Sequence, residues 1–339
     1  MEAAKPVLVV LGSKVDPHVS RVSAWLENDG SVEVKVIDYL DDTYFELSMD
    51  ESGRYSLCID GEPLAENYII WNRVKILPGS ELYLKGDDQS AGYAAREWRA
   101  FYSLLCGFCG SRVVNSLQSR MCMIKPYQQA LAAESGFLVA PSMVTNKKNS
   151  VKDFYSENSE KIIMKSLSGA KVKPEGDGGV PFNIMTMRVS SEDLDGASDE
   201  QIRYCPHFFQ REIVKKYELR VVVVGDRVIP FRIDSQKYKA SSLDWRKGHV
   251  FDNFKPCAID DEITKKIKFF MRRMGFFFGS IDIVVDTDGR HWFLECNQDG
   301  AWGWLDDIVD GALTRVFATE FMRLLGVNFT CDEGDVALV

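Results

Sequence analysis

The chain has 339 residues, 41 Lys plus Arg against 50 Asp plus Glu, a formal net charge of -9 and 45% apolar residues, which is the composition of a globular protein. At ordinary domain size this length divides into about two or three domains. The acidic balance argues against a dedicated nucleic-acid binder, which needs a basic surface, and no run approaches the roughly 18 apolar residues of a membrane-spanning helix.

Val7–Leu11, followed by Gly12-Ser13-Lys14, is too short for an export signal and reads as part of a buried strand, Pro6–Leu11. His18–Leu26 predicts a helix that closes at Asn28-Asp29-Gly30, and the alternation over Val32–Asp38 a second strand. This βαβ start lacks GxGxxG, which argues against a dinucleotide site. Leu57–Ile59 and Tyr68–Trp71 predict short strands. Gln89–Cys106 has helical spacing through Tyr93, Trp98, Phe101 and Leu105, and Asn115-Ser116 marks a break. Eight scattered cysteines read as reduced thiols of a cytoplasmic protein, and Cys106-Gly-Phe-Cys109 lacks the second pair that a zinc site would need. Cys122–Glu134 predicts a helix stopped at Gly136. Lys161–Lys165 predicts a strand that runs into the basic, glycine-rich stretch Ser168–Gly179, and Ser190–Gln201 is acidic and helix-like. Tyr217–Val224 and Arg227–Asp234 flank Gly225-Asp226 as a hairpin. Ile259–Met274 is an amphipathic helix. Ser280–Val285 and His291–Cys296 form a second hairpin about Thr287–Arg290. Gly311–Leu325 is the last helix, ahead of an acidic tail.

The second hairpin carries chemistry. If Asp286 and His291 close its turn, Asp282 lies opposite Glu295, and Asn297, two residues on, points to the same face. Ile281, Ile283, Val285, Trp292, Leu294 and Cys296 then form the core face. Directly opposed carboxylates destabilise a sheet. Either this face is simply solvated or a cation sits between them, and two carboxylates with an amide oxygen suit Mg²⁺ shared with phosphates rather than zinc. Glu218 and Arg220 share a face of the first hairpin. They read either as a surface ion pair or as a ribose acceptor beside a phosphoryl-binding fork. Lys165 ends its strand just before a loop whose backbone N–H groups can cradle phosphate, although it and Lys125, taken singly, read more simply as solvated lysines. The P-loop and protein-kinase signatures are absent.

Taken in order, Lys125, Lys165 with its loop, Phe209-Gln-Arg-Glu-Ile213, Tyr217-Glu-Leu-Arg220, and Phe278-Gly-Ser-Ile-Asp282 with Phe293-Leu-Glu-Cys-Asn297 resemble the ATP-grasp ligases. Lys215-Lys-Tyr-Glu-Leu-Arg-Val-Val-Val-Val-Gly225, Asp244-Trp-Arg246 and Asn297-Gln-Asp-Gly-Ala-Trp-Gly-Trp304 are most similar to the graspetide synthetases, the microviridin-type peptide macrocyclases. Trp71-Asn-Arg73 and the Asn115, Lys125 and Gln128 stretch are similar to that group's preceding domain, so the resemblance spans residues 7–325.

The resemblance implies an α/β (α+β) ATP-grasp fold. An N-terminal βαβ pre-ATP-grasp domain would occupy 1–117 and a central lid subdomain 118–206, with the phosphate loop and a leader-binding helix around Asp193, Asp195 and Asp199. A C-terminal antiparallel-sheet subdomain would occupy 207–330 and a flexible tail 331–339. It implies ATP phosphates on Lys125 and Lys165, adenine at Gln210 and the backbone near Ile213, and ribose on Glu218. Mg²⁺ would sit on Asp282, Glu295 and Asn297, Arg220 would steady the transferring phosphoryl group, and Asp244-Trp-Arg246 would bind the substrate, with Arg246 near its reacting carboxylate. Arg211 departs from the pattern, because relatives commonly carry an acid there. The implied function is an ATP-dependent ligase that activates Asp or Glu side chains of a leader-bearing ribosomal precursor peptide as acyl phosphates. It would close them onto Thr or Ser hydroxyls or Lys amines, in a cytoplasmic homodimer that touches neither nucleic acid nor membrane. The rival readings are an ATP-grasp ligase joining an amino acid to a small molecule or protein terminus, and a non-catalytic ATP- or peptide-binding module. The loop 168–179 is the expected lid, no histidine is given a catalytic role, and Trp245, Trp302 and Trp304 read either as lining the substrate cleft or, more simply, as packing.

Overall fold

The computed structural model describes residues 4–38, 43–74, 88–116, 119, 123–167, 171–172, 182–183, 185–247 and 253–327. The chain opens with β1 (Val7–Leu11), α1 (Pro17–Asp29) and β2 (Glu33–Ile37). β1 is buried along its whole length because it is flanked on both sides by parallel strands. Asp16 caps α1, Pro17 starts it, and Gly30 at φ 78° ends it in the left-handed region. A separate three-stranded antiparallel sheet follows, β3 (Phe45–Met49), β4 (Tyr55–Ile59) and β5 (Glu62–Pro63), of which only part of β4 was anticipated. β6 (Tyr68–Asn72), α2 (Asp88–Cys109) and β7 (Val113–Val114) complete the first unit, whose parallel sheet runs β2-β1-β6-β7. Tyr102, Leu105 and Cys106 of α2 are buried, whereas Tyr93 of the expected apolar stripe is exposed. Cys106 and Cys109 are thiols not joined in a disulfide, and the Cys106 sulfur accepts from Asn72 Nδ2 at 3.2 Å.

α3 (Lys125–Glu134) begins three residues later than expected; Met123 and Ile124 precede the helix, and 120–122 lie outside the described residues. A second sheet, ordered β12-β9-β13-β8, is built from β8 (Ser142–Thr145), β9 (Ile162–Lys165), β12 (Met187–Val189) and β13 (His207–Arg211). Between β9 and β12 sits a small ladder of β10 (Lys171–Val172) with β11 (Phe182–Asn183). The rest of the expected lid, 168–170 and 173–179, lies outside the described residues. α4 (Lys148–Glu157) packs Val151 and Phe154 against Ile162, Leu194 and Phe209. The acidic stretch forms two short helices, α5 (Ser191–Gly196) and α6 (Asp199–Arg203), each started by a capping box, Ser190 with Asp193 and Ser198 with Gln201.

The third sheet runs β16-β15-β14-β17-β18 and is antiparallel throughout. Its strands are β14 (Lys215–Val224), β15 (Arg227–Ile233), β16 (Phe254–Pro256), β17 (Phe278–Asp286) and β18 (His291–Asn297). Val224 pairs with Arg227, so the Gly225-Asp226 turn is the expected two-residue one. α7 (Asp261–Met274) covers one face, burying Ile267 and Phe270 against Leu219, Val221, Ile281 and Ile283. On the other face α9 (Ala312–Leu324), which follows α8 (Gly303–Ile308), places Phe317 and Phe321 in one core with Val222, Phe278, Leu8, Val19 and Trp71. The first and third sheets therefore share a hydrophobic core. Asn115, just past β7, stitches them further: its Oδ1 accepts from the backbone N–H of Phe277 (2.7 Å) and Phe278 (2.9 Å), and its Nδ2 donates to Phe278 O. Among the described residues no helix is long and apolar enough to cross a membrane.

The β17–β18 hairpin departs from a uniform register. Val285 rather than Asp286 faces His291, and Ile283 faces Phe293. Leu294 is an extra residue in β18, so that Asp282 faces Glu295 and Ser280 faces Asn297. The bulge restores the expected opposition at the carboxylates but reverses the faces towards the turn. Phe293 joins the core under α7, while Trp292 and Leu294 turn to the side of Val284, Ala140 and Ile213. The assignment of Trp292 and Leu294 to the face of Ile281 and Ile283 is thus corrected, because a bulge inverts side-chain alternation.

Candidate nucleotide and carboxylate site

A cleft of about 490 Å³ opens between the second and third sheets, beside the 212–214 link that joins β13 to β14. Nine of the eleven expected site residues line it: Lys125, Lys165, Gln210, Ile213, Glu218, Asp244, Arg246, Asp282 and Glu295. Sequence separation is bridged by strand order. Lys165 and Gln210 come from adjacent strands β9 and β13, and Glu218, Asp282 and Glu295 from three neighbouring strands, β14, β17 and β18. Arg220 stands behind the cleft wall, bonded to Asp282, and Asn297 is not among the lining residues. Asn297 is exposed, its Oδ1 accepting from Asp299 N at 3.0 Å.

Each acid in the cleft has a base. Arg220, register-paired with Asp282, holds it through Nη1 at 2.9 and 3.0 Å. Burial pushes the Asp282 carboxyl above its ordinary pKa, Arg220 pulls it back, and nearby Glu295 pushes the same way as burial. Glu295 lies 3.2 Å from the Lys125 ammonium. Burial opposes its ionisation, but Lys125, Lys165 and Arg246 together hold it below the usual glutamate range. Glu218 does not pair with Arg220, the ion pair considered from sequence. Lys215 takes it at 3.1 Å while donating to Leu243 O at 2.8 Å, and burial leaves the Glu218 pKa raised. Arg246 forks onto Asp244 through Nε (2.8 Å) and Nη2 (2.7 Å). Burial opposes ionisation of Asp244, yet that fork keeps its pKa lowered. Lys165 donates to Gln210 Oε1 at 2.8 Å, and burial draws its ammonium down to about 8.

Apolar groups complete the walls. Ile163, Met185, Ile213, Val284 and Leu294 line the same cleft, and Ile213, Val284 and Leu294 pack together as an apolar wall of the kind a planar base stacks on. The basic Arg211 is accommodated by laying its guanidinium 5.4 Å from the Trp292 ring centroid. Trp245 lines the cleft rather than serving only in packing, with its edge on Phe254 at 5.2 Å. Trp302 is buried and stacked on Phe317 at 4.5 Å, as expected of a core tryptophan, and Trp304 packs on Trp245.

The loop after β18 is fixed from two sides. Gly300 approaches so closely that a Cβ there would meet Ser280 Cβ at 2.5 Å and Arg220 Nη2 at 2.8 Å. On the other side, His18 Nε2 accepts from the backbone N–H of both Trp302 and Gly303 at 3.0 Å. Its Nδ1 therefore carries the proton shared with Asp16 at 2.5 Å, and Asp16 also accepts from buried Arg73 Nε at 3.0 Å. His18 thus has a positioning place that sequence reasoning missed, since its partners lie 284 and 285 residues away. Lys215 was missed too, being read only as part of a motif. His207 and His291 do not line the cleft, and His249 lies outside the described residues.

No family model and no curated protein matches the chain. Solved structures do match nearly end to end. A RiPP-associated ATP-grasp ligase from Chryseobacterium gregarium, in complex with ADP and a leader and core peptide, is 24% identical over 95% of this chain and 97% of its own, with a TM-score of 0.78. The macrocyclase MdnC of Microcystis aeruginosa, bound to precursor peptide MdnA, is 23% identical over 94% and 99%, with a TM-score of 0.76. The ATP-grasp ligase PsnB, complexed with a phosphomimetic variant of its minimal precursor, Mg and ADP, is 21% identical over 95% and 99%, with a TM-score of 0.72. The chain therefore has the ATP-grasp fold anticipated from its motifs.

Proposed function

We propose that this chain is an ATP-dependent ligase that macrocyclises a leader-bearing precursor peptide. The observation that carries the proposal is the single cleft in which Lys125 and Lys165 face the Asp282–Glu295 pair, with Asp244 and Arg246 alongside. The apolar wall suits adenine, Glu218 the ribose hydroxyls, and the two lysines the phosphates. Asp282 and Glu295, opposed on adjacent strands, with the Asn297 amide oxygen at the strand end, are the hard-oxygen set that would hold Mg²⁺. When bound, that ion supplies charge neutralisation on the transferring phosphate.

The residues of the chain orient the rest. Arg246 can release one face of its fork to an Asp or Glu carboxylate of the peptide. A carboxylate oxygen attacks the γ-phosphorus of ATP, the bond to the β-phosphate oxygen breaks, and ADP leaves with that electron pair. A peptide hydroxyl or amine then attacks the acyl carbon, loses its proton, and expels inorganic phosphate. Trp245 and the apolar walls limit water access, which protects the acyl phosphate from hydrolysis. The division at 117, 206 and 330, a leader site near the capped helices α5 and α6, a cytoplasmic setting and a homodimer belong to the same proposal. The dimer is supported by an exposed apolar face carrying the stacked pair Tyr55 and Phe108 together with Leu104 and Met49.

Co-expression with a precursor peptide tests the reading. The product should be lighter by the mass of one water per ring, with one ADP formed per ring. An unchanged peptide, with ADP formed from free amino acids instead, would favour the rival ligase.

A further inference from the structure

Lys165 is held by a buried chain of amides that begins at the β18 bulge. Leu294 O accepts from Gln129 Nε2 at 3.2 Å, and Gln129 Oε1 accepts from Gln210 Nε2 at 3.1 Å. Gln210 Oε1 then accepts from Lys165 Nζ at 2.8 Å. Gln129 and Gln210 are 3% and 1% exposed, too dry for water to satisfy a misplaced amide. The direction of the chain is forced at both ends. A backbone carbonyl can only accept, so Gln129 must turn its NH₂ to Leu294 and its oxygen to Gln210. Gln210 must then turn its NH₂ to Gln129 and its oxygen to Lys165, and an ammonium can only donate.

The geometry points to Gln129 and Gln210 as positioning residues that aim the Lys165 ammonium at the nucleotide phosphates. This rests on the ATP reading above and assigns the Gln210 side chain to Lys165 rather than to adenine, which is left to the apolar walls and the 211–214 backbone. The bulge has a use in this scheme: Leu294, the inserted residue, presents the carbonyl that sets the polarity of the whole chain, one residue from Glu295.

The test is a double-mutant cycle on the full chain, read as KM for ATP in ADP release and as Mg·ADP affinity by calorimetry. Gln129→Met frees Gln210 to turn its NH₂ towards the ammonium, and ATP should bind about tenfold more weakly, the scale set by one buried unmatched polar group. KM for peptide should stay within about twofold, since a carboxylate substrate does not use Lys165 in this scheme. Gln210→Glu alone places a carboxylate against the Gln129 oxygen and should weaken ATP binding further. In the double variant the introduced carboxylate accepts from Lys165 in either orientation and no longer meets an amide oxygen at position 129. The double variant should therefore bind ATP more tightly than Gln210→Glu alone, and the added negative charge cancels in that comparison. Gln129→Met is thus harmful in the parent chain and helpful in the Gln210→Glu background. An effect of the same sign in both backgrounds would overturn the relay. If Gln129→Met does not accumulate as folded protein, Gln129→Leu takes its place in the cycle. Failure of the unmodified chain to bind Mg·ADP would instead overturn the ATP reading itself.

Discussion

Gly300→Ala tests how tightly the loop after β18 fixes the acidic pair. The added Cβ would stand 2.5 Å from both Ser280 Cβ and Ser280 Oγ and 2.8 Å from Arg220 Nη2. Carbon atoms in contact prefer about 3.5–4.0 Å, so the loop must retreat by roughly 1 Å. It cannot do so freely, because His18 Nε2 holds Trp302 N and Gly303 N, and Arg220 is pinned by its two bonds to Asp282. Overpacking of this kind costs about 1–3 kcal/mol, which a thermal melt will show. The larger effect is expected in turnover. Displacing Arg220, and with it Asp282, by about 1 Å should lower kcat by about 100-fold in an ADP-release assay with peptide present. Ser280→Gly in the same chain removes two of the three overlaps and should recover most of the loss. Turnover within about twofold of the parent, with an unchanged melt, would show that the loop does not position Arg220.

Glu295→Gln should leave the melt nearly unchanged, since its partner Lys125 is already partly solvated, yet lower turnover by about 100-fold or more. Retained turnover would remove Glu295 from the ion site. Arg246→Ala should slow cyclisation by about 10–100-fold, the worth of charge-assisted hydrogen bonds to a carboxylate, while Mg·ADP affinity by calorimetry stays within about twofold. Equal losses in both would place Arg246 at the nucleotide instead. Burial draws the Lys165 ammonium down to about 8, so it is charged below that pH and neutral above it. kcat/KM for ATP should therefore fall as pH rises through about 8, and Lys165→Met should abolish that limb of the profile. A limb that persists in Lys165→Met would assign it to another group.

Much of the cleft was legible because its side chains sit at strand positions with fixed periodicity. Glu218 and Arg220 on β14, and Asp282 and Ser280 on β17, keep their face whatever the connection does. Two features were hidden. The first is which acid meets which base. β14 pairs with β17, 62 residues away between Arg220 and Asp282, so Arg220 answers Asp282 and leaves Glu218 to Lys215. The second is the bulge at Leu294. A uniform register from the turn was off by one at Val285 and His291, and the inserted residue removed that error before Asp282 and Glu295. The opposition of the carboxylates was thus reached through two offsets that cancel, while Trp292 and Leu294, on the near side of the bulge, were placed on the wrong face. β3 and β5 escaped notice because Phe45–Met49 is half exposed with a mixed pattern and Glu62–Pro63 is two residues long. Gln129 escaped because a buried glutamine on a helix looks, in sequence, like a solvated one.

The resting cleft carries its charges as matched pairs: Arg220 with Asp282, Lys125 with Glu295, Lys215 with Glu218, and Arg246 with Asp244. Pairing is what allows three carboxylates of the sheet, and Asp244 from the link between β15 and β16, to lie so close together without unfolding the fold that bears them. Under the proposed function the same pairing would favour a polyphosphate and a divalent cation that arrive together. A polyphosphate alone would draw Lys125 away from Glu295 and strand a half-buried carboxylate beside Asp282. A divalent cation alone would claim the carboxylates and leave Lys125 and Arg220 without anions. Under the proposed function, arrival of both together would let Lys125 and Arg220, and Glu295 and Asp282, each exchange one partner for another of the same sign. Asp244 and Arg246 obey the same logic one step later. Under the proposed function their fork would open for a ligand that brings its own carboxylate, so the group to be activated would also be the one that replaces Asp244 on Arg246.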